Sequence, residues 1–169
     1  FRVARDELAP GETVLRVRDL SFRNKYGRVV VDGVNLEVRA GEVLGIAGVD
    51  GNGQTELSEL IMGTEKPSAG TIELAGQDVT KLSVAQRIGQ HLSAVPAERN
   101  GIGAIGQMSI ADNVILRDFG KSPYAKGIVL NREEALKATE RFRKWYEIKL
   151  ASPDMPAEQL SGGNLQKVI

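Results

Sequence analysis

Apolar and polar residues alternate with a period of two from Val14 to Leu20 within TVLRVRDLSF, Thr13 to Phe22, which predicts a half-buried strand. A turn at Asn24-Lys25-Tyr26-Gly27 follows, then two more strand-like runs, Arg28 to Val31 and Val34 to Arg39, with breaks at Asp32-Gly33 and Ala40-Gly41. The first forty residues therefore predict an antiparallel β unit. Val43 to Ala47 differs: it is short and apolar on both faces, the pattern of a strand buried between helices in a parallel sheet. Leu92 to Val95, halted by Pro96, is a second candidate core strand.

Helical spacing appears at Thr55 to Met62, closed by Gly63, and the turn Ser68 to Gly70 leads into a strand, Thr71 to Leu74, with a hairpin at Ala75-Gly76-Gln77. Ser83 can cap a short helix to Gly89. Ser109 with Asp112 opens a helix to about Leu116, and Asn131 with Glu134 opens a longer one to about Ile148. On the longer helix Ala135, Ala138, Phe142, Trp145 and Tyr146 share one face, which predicts a core stripe. Arg117 to Leu130 has no clear period and reads as a loop; Ala151 to Gln159, with Pro153 and Pro156, reads as extended linker.

At 169 residues the chain is long enough for one domain with a proper core. Lys+Arg and Asp+Glu are both 22, so no global field points to nucleic acid or an anionic surface, and phosphate binding has to come from local geometry. The absence of cysteine removes disulfides, thiolate metal sites and cysteine nucleophiles together. No apolar run approaches the ~18 residues of a spanning helix. The start, Phe1-Arg2, has no methionine and no signal-peptide pattern, and reads as the cut end of a longer protein.

Between the strand Val43 to Ala47 and the helix from Thr55 stands GVDGNGQT, Gly48 to Thr55. Its spacing is that of the phosphate-cradling loop G-x-x-x-x-G-K-[ST], except that Gln54 replaces lysine. Such a loop works through its backbone: N–H groups point at the phosphates, glycines let the chain approach, and the next helix adds its positive end. Gly48, Gly51 and Gly53 supply that here, and Thr55 the hydroxyl for Mg²⁺. The plain alternative is a glycine-rich turn without a ligand, but five glycines fall within Gly41 to Gly53, against 19 in the whole chain, and they align with the motif. Exchanging a charge-assisted hydrogen bond (~1.5–3 kcal/mol) for a neutral one (~1 kcal/mol) weakens binding by about tenfold. It costs hydrolysis more, since lysine's charge acts where the transition state gathers negative charge.

Leu160 to Lys167 reads LSGGNLQK. With this stretch the sequence resembles the ATP-binding cassette (ABC) family of transport ATPases, whose LSGGQ-like signature sits at a helix N-terminus. It resembles in particular the second, degenerate cassette of bacterial simple-sugar and nucleoside importers. The implied fold is a partial α/β P-loop NTPase: an antiparallel β region (13–42 and 70–80), a RecA-like core (43–69 and 81–100) and a helical subdomain (101–169), with 1–12 a linker from a preceding cassette.

The implied cofactors are ATP and Mg²⁺. The residues carried over to nucleotide binding are Phe22, Gly48, Asp50, Gly51, Asn52, Gly53, Gln54, Thr55 and Glu56, with Thr55 also toward Mg²⁺. Ser161, Gly162, Gly163 and Asn164 would act in trans on a partner cassette's ATP, so the fragment itself holds no catalytic residue. Phe22 fits either an adenine-stacking or a core role. Val95-Pro96-Ala97-Glu98-Arg99 stands where the family's Q-loop belongs, without its glutamine, and Glu98 and Arg99 fit either coupling or a solvated loop. The Walker B strand, catalytic glutamate and switch histidine of the family lie beyond LSGGN, so Val29 to Asp32 reads as strand and turn and His91 as an ordinary histidine. The resemblance further implies a partner cassette, a transmembrane permease, indirectly a solute-binding protein, no nucleic acid, and a peripheral place on the cytoplasmic face of the membrane. The alternative is a non-catalytic, regulatory nucleotide-binding module; a kinase or GTPase would need the lysine and has no use for LSGGN.

Overall fold

The computed structural model describes residues 9–169. The chain forms two compact units, Phe1–Ala94 and Val95–Ile169. Most of the expected linker 1–12 lies outside the described residues.

The first unit is built on an antiparallel sheet in the order β2-β1-β3-β4, with β1 Thr13–Arg23, β2 Val29–Arg39, β3 Ala69–Leu74 and β4 Gln77–Asp78. Val17 and Leu20 on β1 are buried and pack with Val31, Leu57, Leu60, Ile72, Leu74 and Val79. The expected strict alternation does not run through to Leu20: Asp19 takes φ 47° and the pairing slips between Val17↔Leu36 and Leu20↔Val34, a bulge that brings residues three apart onto one face. The two runs expected on either side of Asp32-Gly33 are one strand. The pair slips from Leu20↔Val34 to Phe22↔Val31, Gly33 takes φ 57°, and its N–H donates to Ser21 Oγ at 2.9 Å. A bulge with a positive-φ glycine absorbs the extra residue without ending the strand.

Helix α1 (Gln54–Met62) lays Leu57 and Leu60 on this core and ends at Gly63 in the left-handed conformation, whose N–H donates to Glu59 O. A second short helix, α2 (Val84–Gly89), begins with a full capping box between Ser83 and Gln86.

The expected parallel core strands do not form. Val43 to Ala47 and Leu92 to Val95 have no strand assignment, and Val43, Ile46, Val49 and Val95 are exposed. A strand exists only where a neighbour completes its ladder, and among the described residues no sheet includes either run.

The second unit contains α3 (Ile110–Ile115), α4 (Arg132–Trp145) and α5 (Gly162–Val168). Ser109 and Asn131 cap α3 and α4, accepting from the N–H groups of Asp112 and Glu134. The expected loop 117–130 contains a small hairpin, β5 (Ala125–Lys126) and β6 (Val129–Leu130), too short to show a period. The expected linker 151–159 is tied down: Pro153 O and Met155 O accept from Ala111 and Ile110, Ala157 N–H donates to Met108 O, and a 3₁₀ turn spans Ala157–Gln159. Helix α4 stops at Trp145 rather than near Ile148, because Glu147 adopts φ 51°. Ala135 and Ala138 are buried, but Trp145 and Tyr146, at the C-terminal end, are 65% and 54% exposed. They therefore leave the expected core stripe, and Arg141 lies over the Trp145 ring at 5.6 Å.

Candidate functional site: a phosphate loop and a signature helix

The loop from Gly48 to Gly53 runs into α1 as the spacing requires. Gly51 and Gly53 hold φ 83° and 93°, a region that L side chains rarely enter. Gly53 is also pressed on β2: a Cβ there would lie 2.6 Å from Val30 O. The loop's last glycine is thus seated against the neighbouring strand, which aims the first turn of α1.

Gln54, half-exposed, turns back across the loop, and its Nε2 donates to Val49 O at 3.2 Å. Gly48 makes room for it, since a Cβ there would meet the same nitrogen at 2.1 Å. The neutral amide therefore braces the two arms of the loop against each other while bringing no positive charge. A cavity of about 640 Å³ opens beside the loop, lined by Asn35, Leu36, Gly45, Ala47, Gly48 and Gln54 among others.

Asp50, Asn52 and Thr55 are exposed and Glu56 half-buried. Thr55 stands on the first turn of α1, open to solvent. Mg²⁺ on nucleotides takes one or two protein oxygens and completes its shell with phosphate oxygens and water, so a single hydroxyl here fits that ion. The described residues hold no group of three or more His, Cys, Asp or Glu that would bind a metal unaided. Phe22 pairs with Val31 near the end of β1 and packs, partly buried, against the sheet core. It does not line the cavity, an arrangement that suits the core role.

In the second unit, LSGGN forms the start of α5. Ser161 is the N-cap residue with extended backbone (φ −60°, ψ 150°) and makes no side-chain cap. Its Oγ instead accepts from Asn164 Nδ2 at 3.0 Å, which, among the described residues, leaves the serine O–H free to donate outward. Asn164 Oδ1 accepts from the Lys149 backbone N–H at 3.0 Å, and Lys167 Nζ donates to Glu147 O at 3.2 Å. Two side chains of the signature helix thus hold the segment that follows α4, while Leu165 and Val168 anchor α5 in a core with Ile110, Ile148 and Leu150. Gly162 and Gly163 are exposed, and the Arg99 guanidinium lies against Gly162, 2.7 Å from where a Cβ would stand. Arg99 is therefore beside the signature, and Glu98 is exposed in the turn before it, its carbonyl accepting from Gly103.

Two buried polar residues carried no sequence signal. Asn113 pins the loop before α3: its Oδ1 accepts from Ile105 N–H at 2.8 Å and its Nδ2 donates to Ser109 O at 2.9 Å. Arg87, 1% exposed, sits inside the first unit. On sequence it is the one charged residue of the six-residue helix VAQRIG, where a solvated arginine is the ordinary expectation, and only its position could betray it.

A glycine loop seated on a strand, running into a helix beside an open cavity, defines a P-loop nucleotide-binding fold. The family model for ABC transporters matches residues 31–169, and this chain belongs to that family. Its relatives include the glucose import ATP-binding protein TsgD13 of Haloferax volcanii, 40% identical over 100% of this chain and 31% of that protein. The nucleoside import ATP-binding protein NupA of Lactococcus lactis is 35% identical over 95% of this chain and 32% of that protein. The chain spans about a third of the length of these curated relatives. Among solved structures, the ADP conformation of MJ1267, an ATP-binding cassette of an ABC transporter, matches with a TM-score of 0.67 at 26% identity, over 92% of this chain and 62% of that one. The cassette MJ0796 bound to ADP and Pi matches at 0.72 and 22% identity, over 91% and 66%, a likeness of fold.

Proposed function

We propose that this chain is part of the ATP-binding subunit of an importer for a sugar or nucleoside-like solute, and that it acts mainly through its signature. The carrying observation is the pairing of a phosphate loop braced by a neutral Gln54 with a signature serine whose proton is left free to donate. ABC cassettes pair head to tail, so each ATP lies between one cassette's loop and the other's signature. The loop here holds ATP weakly: its backbone, Gly48 to Gly53, binds the phosphates and Thr55 the Mg²⁺, which when bound neutralises the developing phosphate charge. With no cation at position 54 the site turns over slowly. Ser161, Gly162, Gly163 and Asn164 complete the partner cassette's site.

Relatives named for glucose, nucleoside, guanosine and ribose import support the solute class. The subunit works against a transmembrane permease, with a solute-binding protein upstream, at the cytoplasmic face. Among the described residues no helix is long and apolar enough to cross a membrane, which suits that peripheral role. These 169 residues alone are expected to show no hydrolysis.

A second reading, a purely regulatory nucleotide-binding module, draws on the same glutamine. Titrating Mg·ATP against the full-length subunit while measuring turnover separates the two: the importer reading expects binding with hydrolysis, the regulatory reading binding with none.

A further inference from the structure

Helix α1 carries the phosphate loop at its N-terminal end, and its other end is held by a buried cation. Arg87, from α2, donates from one terminal nitrogen to Leu60 O at 2.6 Å and Ile61 O at 2.7 Å, from the other to Thr80 O at 2.9 Å, and from Nε to Leu82 O at 3.2 Å. All four acceptors are backbone carbonyls, and two belong to the last turn of α1, the negative end of its dipole. Burial lowers the guanidinium pKa and the field of Asp78 opposes that shift. The C-terminal N–H groups of Gly63 and Thr64 both donate to Glu59 O, at 2.8 and 3.0 Å, so the carbonyls of Leu60 and Ile61, which have no partner within the helix, are taken by the arginine. Gly63 is shaped around it: a Cβ there would lie 2.8 Å from its Nε.

Geometry says what this hold accomplishes. Nine residues make a rod about 13 Å long, so tilting it by ~10° about its middle moves the loop end by about 1 Å. That displacement is enough to misalign amide hydrogen bonds to a phosphate. One end of α1 is seated where Gly53 meets Val30 O, and the other is clamped by a planar fork that lysine cannot reproduce.

We propose that Arg87 is a positioning residue for the phosphate loop, fixing the direction of α1 by clamping its C-terminal carbonyls to the β4–α2 connection. Its importance for nucleotide binding rests on the proposed function; the clamp itself does not.

The test uses the full-length subunit with Arg87→Met, Arg87→Lys and, as a matched core defect, Val79→Ala, at a temperature where each is folded. The first readout is amide hydrogen exchange over residues 53–64 without nucleotide. Arg87→Met is expected to speed exchange there at least tenfold more than Val79→Ala at equal loss of Tm, with Arg87→Lys intermediate. The second is protection of residues 48–57 by Mg·ATP, whose half-saturation should rise five- to tenfold in Arg87→Met. Exchange profiles over 53–64 that coincide for Arg87→Met and Val79→Ala overturn the proposal; if Arg87→Met does not fold, the same comparison is made with Arg87→Lys. Failure of Mg·ATP to protect the wild-type loop counts against the proposed function, while the exchange comparison still decides on the clamp.

Discussion

In the proposed function Gln54 keeps half of a role. Bridging the loop to Val49 O needs only a donor at the right reach, whereas stabilising transition-state charge needs a cation, and an amide supplies the first and not the second. Restoring lysine, Gln54→Lys, is expected to tighten Mg·ATP binding at this loop by about tenfold, measured as ATP-dependent protection of residues 48–57 in the full-length subunit. Gly53 has less freedom. A side chain there faces a positive φ and a clash with Val30 O, so Gly53→Ala should lower unfolding stability by about 2 kcal/mol in chemical denaturation and abolish that protection. The loop residues were legible in the sequence because the motif is a spacing. The roles of Asn164, Asn113 and Arg87 were not, since each bonds backbone groups brought near by the fold, and polar residues in short helices look alike until folded.

Among elements, those with strong local signals appeared where expected. The capping serines and asparagine start α2, α3 and α4, and alternation marks β1 as far as its bulge. The failures were non-local. Asp32-Gly33 looks like a break but is a bulge, because the partner strand continues past it. Val43 to Ala47 has the composition of a core strand but no partner among the described residues.

The sheet also carries an electrostatic consequence. Glu37 on β2 accepts from Thr13 Oγ1 and from Arg16, and these bonds hold its carboxyl below the usual range; Asp78 on β4 is lowered by hydrogen bonds from Thr80. A depressed carboxylate contributes stability at pH above its unfolded value and loses it as pH falls through the folded one. The sheet unit is therefore expected to keep a steady denaturation midpoint from neutral pH down to about 5 and to weaken below about 4. Glu37→Gln should flatten part of that fall. Asp78 is exposed and Glu37 only half-buried, so solvent screening keeps the slope shallow.

At the scale of the whole molecule, the described chain joins two anion-oriented features, the phosphate loop of one unit and the signature helix of the other. The proposed function gives them a common purpose in a paired machine. Their unequal condition, a loop without its cation and a signature with its serine free to donate, is the basis for assigning the chemistry to the partner's ATP. The measurement that bears on this most directly is steady-state ATPase activity of the full-length subunit with its permease, comparing Ser161→Arg with Gln54→Ala. Loss of most activity in Ser161→Arg with little change in Gln54→Ala is the expected result. The reverse ranking, activity surviving Ser161→Arg and failing in Gln54→Ala, would contradict it.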